Sequence, residues 1–196
     1  MKECNVVLAG VGGQGVLLLA EILGNAAVEE GLNVRVSEIR GMAQRGGAVV
    51  SDVRIGSNVL APTVLEGTAD AIVGLEPMEA LRSIKYASER TLILLNTATT
   101  KPGLTSRSSV YPSLESILGK IQIFSKNVLI IDATNIAKAL GNVAIQNIVM
   151  IGALAATGKL PLKLESIRKS IRASINERYL DINLKAFDSG YSKIIA

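Results

Sequence analysis

The stretch Asn5-Val6-Val7-Leu8-Ala9-Gly10-Val11-Gly12-Gly13-Gln14-Gly15 decides the fold of this 196-residue chain. Its first five residues are apolar except for Asn5 and have the length of a strand, which predicts a strand buried on both faces. A glycine-rich loop follows directly, and residues 14–30 then have the pattern of a helix that ends at Gly31. A strand, a glycine loop and a helix in this order are typical of the start of an α/β domain.

Further apolar runs continue the pattern along the chain. They predict strands at residues 33–39, 48–55, 70–75, 91–95 and 128–131. Helices are predicted from Pro77, which suits a first turn, and after Asp132-Ala133-Thr134 until about Gly141. From Val143 onward the pattern is helical only, with helices over 164–178 and 182–194.

This order of elements predicts a doubly wound, mostly parallel, Rossmann-like sheet. The helical residues that follow form a C-terminal section packed on it, and residues 1–196 form a single domain. Thr97–Ser109 is rich in Thr, Ser and Lys, and we expect it to be a mobile loop.

Composition narrows the function classes. Hydrophobic residues make up 48% and charged residues 19%, which indicates either a buried subunit interface or a well-filled core. A scattered net charge of +4, no Trp and 3% aromatic residues argue against nucleic acid as a partner. The start of the chain lacks the apolar stretch of a signal peptide, and residues 143–157 are too short to cross a bilayer. We therefore expect a cytoplasmic protein with no membrane contact.

The chain lacks the residues that most often carry catalysis and metal binding. It contains no His, which removes the commonest general base and metal ligand. Its single cysteine, Cys4, cannot form a disulfide within the chain or hold an iron–sulfur cluster by itself. Because Cys4 opens a predicted buried strand, we interpret it as a small core residue.

The loop after the first strand matches the pattern G-x-G-x-x-G. Gly10 permits a tight turn, Gly12 lets the backbone approach a ligand, and Gly15 lets helix and sheet pack closely. Free N–H groups at the helix start favour an anion. Together with Gly13 and Gln14, these residues predict a site for a phosphate or pyrophosphate. The alternative is that the glycines only turn the chain.

Glu38 supports a second interpretation. It lies near the end of the second predicted strand, where dinucleotide-binding proteins place an acidic residue that holds the ribose. The chain would then be a subunit of an NAD-dependent oxidoreductase, or a nucleotide-binding regulatory module that catalyses nothing. Against this, Glu38 leads directly into a loop of arginines and glycines, and no His, Cys or Tyr-Lys set suggests a hydride-transfer site.

The loop Ser37-Glu38-Ile39-Arg40-Gly41-Met42-Ala43-Gln44-Arg45-Gly46-Gly47 is the most distinctive segment. Its arginines follow a strand, at the sheet edge where α/β proteins bind ligands. Each arginine offers a planar fork of donors to a carboxylate or phosphate. With Asn96 after another strand, Arg40, Gln44 and Arg45 form a predicted site for substrate or a subunit junction.

Other polar residues allow two interpretations each. Asp132 and Asn135 follow a predicted strand, where they could face a ligand or cap a helix. Arg168, Lys169 and Arg172 form a basic helix face, for which a solvated surface is favoured over contact with a coenzyme phosphate or an acidic partner.

Taken together, Gly10–Gly15, Ser37–Gly47 and the strand at 48–55 resemble the gamma family of 2-oxoacid:ferredoxin oxidoreductases. Gly41–Gly47 resembles the indolepyruvate oxidoreductase branch of that family. The resemblance extends to Asp132-Ala133-Thr134 and to Asn183-Leu184-Lys185-Ala186-Phe187, and so covers essentially the whole chain.

The resemblance implies a reaction in which a 2-oxoacid, coenzyme A and oxidised ferredoxin give acyl-CoA, carbon dioxide and reduced ferredoxin. It also implies that thiamine diphosphate and iron–sulfur clusters lie on a larger partner subunit. This chain, with one cysteine and no Gly-Asp-Gly segment, would carry no catalytic residue alone. Its implied share is to close over the active site and to hold coenzyme A phosphates at Gly10–Gly15.

Overall fold

The computed structural model describes residues 3–41, 46–100 and 111–195, without the side chain of Arg40. The strands of the described part are β1 Cys4–Val11, β2 Asn33–Arg40, β3 Ala48–Gly56, β4 Ala71–Gly74, β5 Leu92–Asn96 and β6 Val128–Ile131. Its helices are α1 Val16–Glu29, α2 Pro77–Arg82, α3 Leu114–Phe124, α4 Ala133–Ala139, α5 Gln146–Ala156, α6 Leu164–Ser174 and α7 Glu177–Ile195. Short 3-10 turns lie at Ile84–Tyr86 and Val143–Ile145.

The strands form one sheet in the order β2-β3-β1-β4-β5-β6. Strands β1, β4, β5 and β6 are mutually parallel, whereas β3 runs antiparallel to both of its neighbours, β1 and β2. The predicted α/β fold with a mostly parallel sheet is confirmed. Residues 41–47 join β2 to β3, and this connection is shorter than the dozen or more residues that a parallel crossover needs, so β3 returns as a hairpin.

Helices cover both faces of the sheet. Val7 and Leu8 are consecutive in β1 and fully buried, and they point into different cores because side chains alternate along a strand. Leu8 belongs to the larger core with α1, α5, α6 and α7, including Phe187. Val7 belongs to the smaller core, which includes Ile117 and Ile121 of α3. Cys4 is 5% exposed within the larger core, as its interpretation as a core residue requires.

Two helical features differ from the sequence prediction. No element was predicted between residues 110 and 127, where the structure has α3, although Leu114, Ile117, Leu118 and Ile121 have helical spacing and pack in the smaller core. The helix predicted over 164–178 is two helices. Ile175 has an extended backbone, and the side chain of Asn176 accepts a hydrogen bond from Arg178 N (3.0 Å), which starts α7.

The C-terminal helical section is held together by close contact between α5 and α7. A Cβ atom at Gly152 would overlap the backbone of Phe187, and one at Gly190 would overlap the backbone of Val149. Because neither glycine has a side chain, the backbones of the two helices are in direct contact at these positions. No helix in the described residues is long and apolar enough to cross a membrane.

Candidate ligand-binding site

The two glycine loops that the sequence singles out lie side by side at the carboxyl edge of the sheet. Gly12 N donates to Gly47 O (2.8 Å), and Gly46 N donates to Gly12 O (3.4 Å). Gly41 N donates to Ala48 O (2.8 Å), which closes the β2–β3 hairpin at the same edge. The structure thus joins the loop after β1 to the loop before β3. The N–H group of Gly12 is used in this junction.

Close packing explains two glycines of the first loop. Gly15 has a left-handed backbone (φ +78°), and a Cβ atom there would overlap the side-chain amide of Asn147 at the start of α5. At Gly10, a Cβ atom would lie 2.9 Å from both Gln14 Oε1 and Val16 Cγ2. Gly15 therefore lets α1 approach α5, whereas the sequence prediction was a close contact between helix and sheet.

Gly13 is different, because it is exposed and a Cβ atom there would meet nothing within 4 Å. Its φ of +101° favours glycine through backbone conformation alone. It lies next to the start of the 14-residue helix α1, whose first turn has no side-chain cap and no acidic residue among the described residues. Uncapped N–H groups at a helix start favour an anion, so Gly13 is the part of the loop best placed to face one.

The side chain of Gln14 stabilises the glycine loop through hydrogen bonds to neighbouring segments. This buried side chain accepts a hydrogen bond from Val11 N (2.8 Å) with its Oε1 atom. Its Nε2 atom donates to Leu75 O after β4 (3.4 Å) and to Thr100 Oγ1 (3.2 Å). Gln14 thus fixes the loop to the ends of neighbouring segments, and its amide is used within the chain.

Asn96 is fully buried at the end of β5, where it joins three elements. Its Nδ2 atom donates to Leu75 O (3.1 Å) and to Thr134 Oγ1 (3.0 Å), and its Oδ1 atom accepts from Ala133 N (3.1 Å). Thr134 in turn donates to Gln146 Oε1 (2.5 Å). Asn96 lies at the predicted edge of the sheet, and these bonds suit it to hold that edge together.

Glu76 and Tyr111 are site residues that the sequence reasoning missed. Glu76 is a fully buried carboxylate that caps α2 by accepting from Glu79 N (3.0 Å). It also accepts from Thr100 N (3.4 Å) and from the hydroxyl of Tyr111. Burial and the neighbouring Glu76 carboxylate raise the pKa of the Tyr111 phenol, so it remains a hydrogen-bond donor. The sequence feature that could have indicated Glu76 as a site residue is its position directly after a predicted buried strand and before Pro77.

Three predicted site residues are not placed by the described structure. Gln44 and Arg45 lie outside the described residues, and so does the side chain of Arg40. The backbone of Arg40 ends β2 opposite Val49, which puts the start of their loop at the carboxyl edge. Their role at a substrate or subunit junction stays a prediction.

The position of β2 disfavours the dinucleotide interpretation. That interpretation needs Glu38 on the strand next to β1, where it could reach a ribose bound at the glycine loop. Here β3 lies between β1 and β2, so Glu38 is two strand spacings from β1, roughly 9–10 Å. The hairpin thus moves the acidic residue away from the place where a dinucleotide would need it.

The other polar candidates have structural roles. Asp132 caps α4 by accepting from Asn135 N (3.1 Å), which supports the capping interpretation. On α6, Arg168 forms an ion pair with Asp188, and Lys169 forms one with Glu29. These pairs within the chain favour the solvated-face interpretation of the basic helix.

The residues of this chain do not fit an iron–sulfur cluster. Burial raises the pKa of the Cys4 thiol to about 12, whereas a cluster needs several thiolates. No group of three or more His, Cys, Asp or Glu side chains in the described ranges could hold a metal ion.

Comparison with known proteins places the chain in a family. Residues 5–193 match the model of the family described as pyruvate ferredoxin/flavodoxin oxidoreductase. The chain is 44% identical to "Indolepyruvate oxidoreductase subunit IorB" of Pyrococcus horikoshii, over 97% of this chain and 95% of the relative. It is 40% identical to the protein of the same name from Archaeoglobus fulgidus, over 98% of this chain and 96% of that one.

A solved structure agrees with this assignment. Pyruvate oxidoreductase subunit PORC from Thermotoga maritima superposes with a TM-score of 0.73 at 26% identity, covering 98% of this chain and 97% of that chain. The expected gamma-type fold is therefore confirmed. The match extends over nearly all of both chains and includes the two joined glycine loops, so this chain is a member of the pyruvate ferredoxin/flavodoxin oxidoreductase family.

Proposed function

We propose that this chain is the subunit without cofactors of a 2-oxoacid:ferredoxin oxidoreductase, with indolepyruvate or a related aryl-pyruvate as the oxoacid. Two relatives at 40% and 44% identity are named as indolepyruvate oxidoreductase subunits, and the match covers nearly the full length of both. The oxoacid, coenzyme A and oxidised ferredoxin would yield acyl-CoA, carbon dioxide and reduced ferredoxin.

A larger partner subunit would carry thiamine diphosphate and the iron–sulfur clusters. This chain has no His, and its one cysteine is buried with a raised pKa, so it offers neither a cluster site nor the commonest general base. We therefore expect it to be inactive alone and to act by completing the partner's active site.

The observation that carries a role for this chain is the joined pair of glycine loops. Exposed Gly13 lies at the uncapped start of α1, and the loop that begins at Gly41 is bonded to its neighbour Gly12. This edge of the sheet is suited to an anionic group such as the phosphates of coenzyme A. In the same loop, Arg45 would pair with a carboxylate or phosphate at the subunit junction.

Exchanging Gly13 for Asp and for Asn tests the coenzyme A site. The two side chains have the same shape and meet the same left-handed backbone, so they differ mainly in charge. In the assembled complex, Gly13→Asp should raise the apparent KM for coenzyme A about tenfold above that of Gly13→Asn, equivalent to 1.4 kcal/mol. Equal KM values for the two variants would contradict an anion site at this loop.

NAD provides the discriminating control for the second interpretation. Calorimetric titration of the chain alone and of the complex with NAD should show no tight binding, because Glu38 lies beyond β3. Tight NAD binding without any response to coenzyme A would instead favour a nicotinamide-dependent or nucleotide-sensing protein.

A further inference from the structure

β6 is an edge strand made only of apolar residues. The sheet order places β5 on one side of Val128–Ile131, and within the described ranges no strand lies on the other side. Ile130 is 47% exposed, and Val128 and Leu129 are only partly buried. Proteins ordinarily protect such an edge with charges, proline or a bulge, because its unpaired backbone can pair with another chain.

Apolar groups flank this edge on both faces of the sheet. On one face, α3 ends just before β6 with Ile123 76% exposed and Phe124 44% exposed. On the other face, α4 and α7 enclose an open groove whose apolar lining includes Ile136, Ala139 and Leu140. The exposed surface therefore spans all three layers of the domain. We call these residues, with β6, the β6 edge surface.

The hydrogen bonds of β6 define which backbone groups are available. Ile93 N donates to Asn127 O (2.9 Å), and Thr97 N donates to Ile131 O (3.1 Å), so the odd-numbered residues of this strand face β5. Backbone groups of successive strand residues point to opposite sides. The carbonyl groups of Val128 and Ile130, and the N–H group of Ile130, therefore point to the free edge.

We infer that this edge pairs with the β6 edge of a second copy of the chain, antiparallel about a twofold axis at Leu129. Val128 of one copy then lies opposite Ile130 of the other. The Ile130 N–H group can donate to the Val128 carbonyl group, whereas the Val128 N–H group already donates to Lys126 O (3.1 Å). Their side chains share one face of the sheet and form β-branched cross-strand pairs. The two Leu129 side chains meet on the opposite face, next to the α4–α7 groove.

Charge selects this register. Lys126 precedes the strand and Asp132 follows it, and both are exposed. Lys126 lies in a bend just before β6, and Asp132 is the N-cap of α4 just after it. With the axis at Leu129, the end of the strand beside Lys126 meets the end beside Asp132 of the other copy, which brings opposite charges together twice. Moving the axis by one residue keeps the edge groups aligned, but it places Lys126 opposite Ile130 or Val128 opposite Asp132.

The same symmetry argues for a second copy as the occupant. In a twofold interface one surface must complement itself. Here apolar side chains meet apolar side chains, outward backbone groups meet outward groups, and the basic end of the strand meets the acidic end. A different chain would have to reproduce this arrangement independently.

Sedimentation equilibrium of the full chain over a range of concentrations tests the proposal. The wild type should form dimers, whereas Ile130→Lys should remain monomeric because it places a charge at the centre of the pairing. Leu60→Lys is the matched control, since Leu60 is 85% exposed and follows β3, which three strands separate from β6. This control should dimerise like the wild type.

A charge variant provides an independent test. Lys126→Glu should raise the dimer dissociation constant about tenfold, equivalent to 1.4 kcal/mol, because it faces Asp132 with a like charge. Lys126→Arg should leave the constant unchanged. Hydrogen exchange at the Ile130 amide should slow as the concentration rises.

Two results would overturn the proposal. One is a wild-type chain that is monomeric at every concentration. If Ile130→Lys then abolishes binding to a large partner subunit, the edge belongs to the interface with that partner. The other is a dimer that Ile130→Lys and Lys126→Glu leave intact.

Discussion

Replacing Gly15 by alanine tests how the glycine loop is held against the C-terminal helices. Gly15 has φ +78° and precedes α1. An added Cβ atom would overlap Asn147 Nδ2 and lie 3.1 Å from Asn147 Cγ. The alanine must therefore adopt a left-handed backbone and also displace Asn147, whose Nδ2 atom donates to Gly15 O (3.3 Å).

Both consequences have known magnitudes. A left-handed backbone costs a non-glycine residue about 1–2 kcal/mol. Loss of one intramolecular hydrogen bond costs about 1 kcal/mol. Gly15→Ala should therefore lower the free energy of unfolding by about 2–3 kcal/mol, which lowers Tm by about 4–12 °C in a domain of this size.

Thermal unfolding followed by circular dichroism measures this effect, with Gly13→Ala as the matched control. Gly13 has φ +101°, but a Cβ atom there meets nothing within 4 Å, so its variant should show the backbone cost alone. In the Gly15→Ala background, Asn147→Ala should recover part of the loss because it removes the overlap. The four chains of this double-mutant cycle separate the contact from the strain.

The reasoning would be refuted by a Gly15→Ala variant that unfolds at the wild-type temperature. It would also be refuted if Gly15→Ala and Gly13→Ala lowered the free energy of unfolding equally. A third refuting result is that Asn147→Ala lowers the stability of the Gly15→Ala variant by as much as it lowers that of the wild type. In those cases, the Gly15–Asn147 contact would not hold the loop.

Three further predictions test other parts of the structure. Burial raises the pKa of Asp52, so the stability of the wild type should fall as pH rises through the folded-state pKa. In urea titrations, the free energy of unfolding of the neutral Asp52→Asn variant should therefore gain on that of the wild type from acid to neutral pH. A difference that does not change with pH would contradict this. Gly190→Ala should destabilise the protein by about 3 kcal/mol or more, because the added Cβ atom overlaps the α5 backbone. As a control, Gly119→Ala, in open space on α3, should stabilise it by about 0.5–1 kcal/mol. Equal effects of the two substitutions in calorimetry would exclude the close helix contact. Tyr111→Phe should cost about 1–3 kcal/mol because it removes a donor from buried Glu76, and an unchanged Tm would show that this bond contributes nothing.

Local patterns in the sequence predicted the strands and the first helix well. The apolar run of β1, the glycine loop and the helix that ends near Gly31 follow from residues close together in the chain. Close packing at Gly15 was predicted against the sheet, whereas the structure shows it against Asn147 of α5. That contact depends on how α5 returns to the sheet, and no local pattern contains this information.

The site was only partly predictable for the same reason. The G-x-G-x-x-G pattern and the second glycine loop indicate ligand-binding loops, and the structure joins them through Gly12 and Gly47. Asn96 was expected at the same edge, but its bonds to Thr134 and Leu75 O arise from tertiary packing. Glu76 was overlooked because an acidic residue before a helix is usually an exposed cap, and its hydrogen bond with Tyr111 joins residues far apart in the sequence.

The central claim is that this chain acts only as one subunit of a 2-oxoacid:ferredoxin oxidoreductase. The most direct measurement is ferredoxin reduction with indolepyruvate and coenzyme A, by the chain alone, by its large partner alone, and by the two together. The account predicts reduction that depends on coenzyme A only when both chains are present. Turnover by this chain alone, or full activity of the partner without it, would contradict the account.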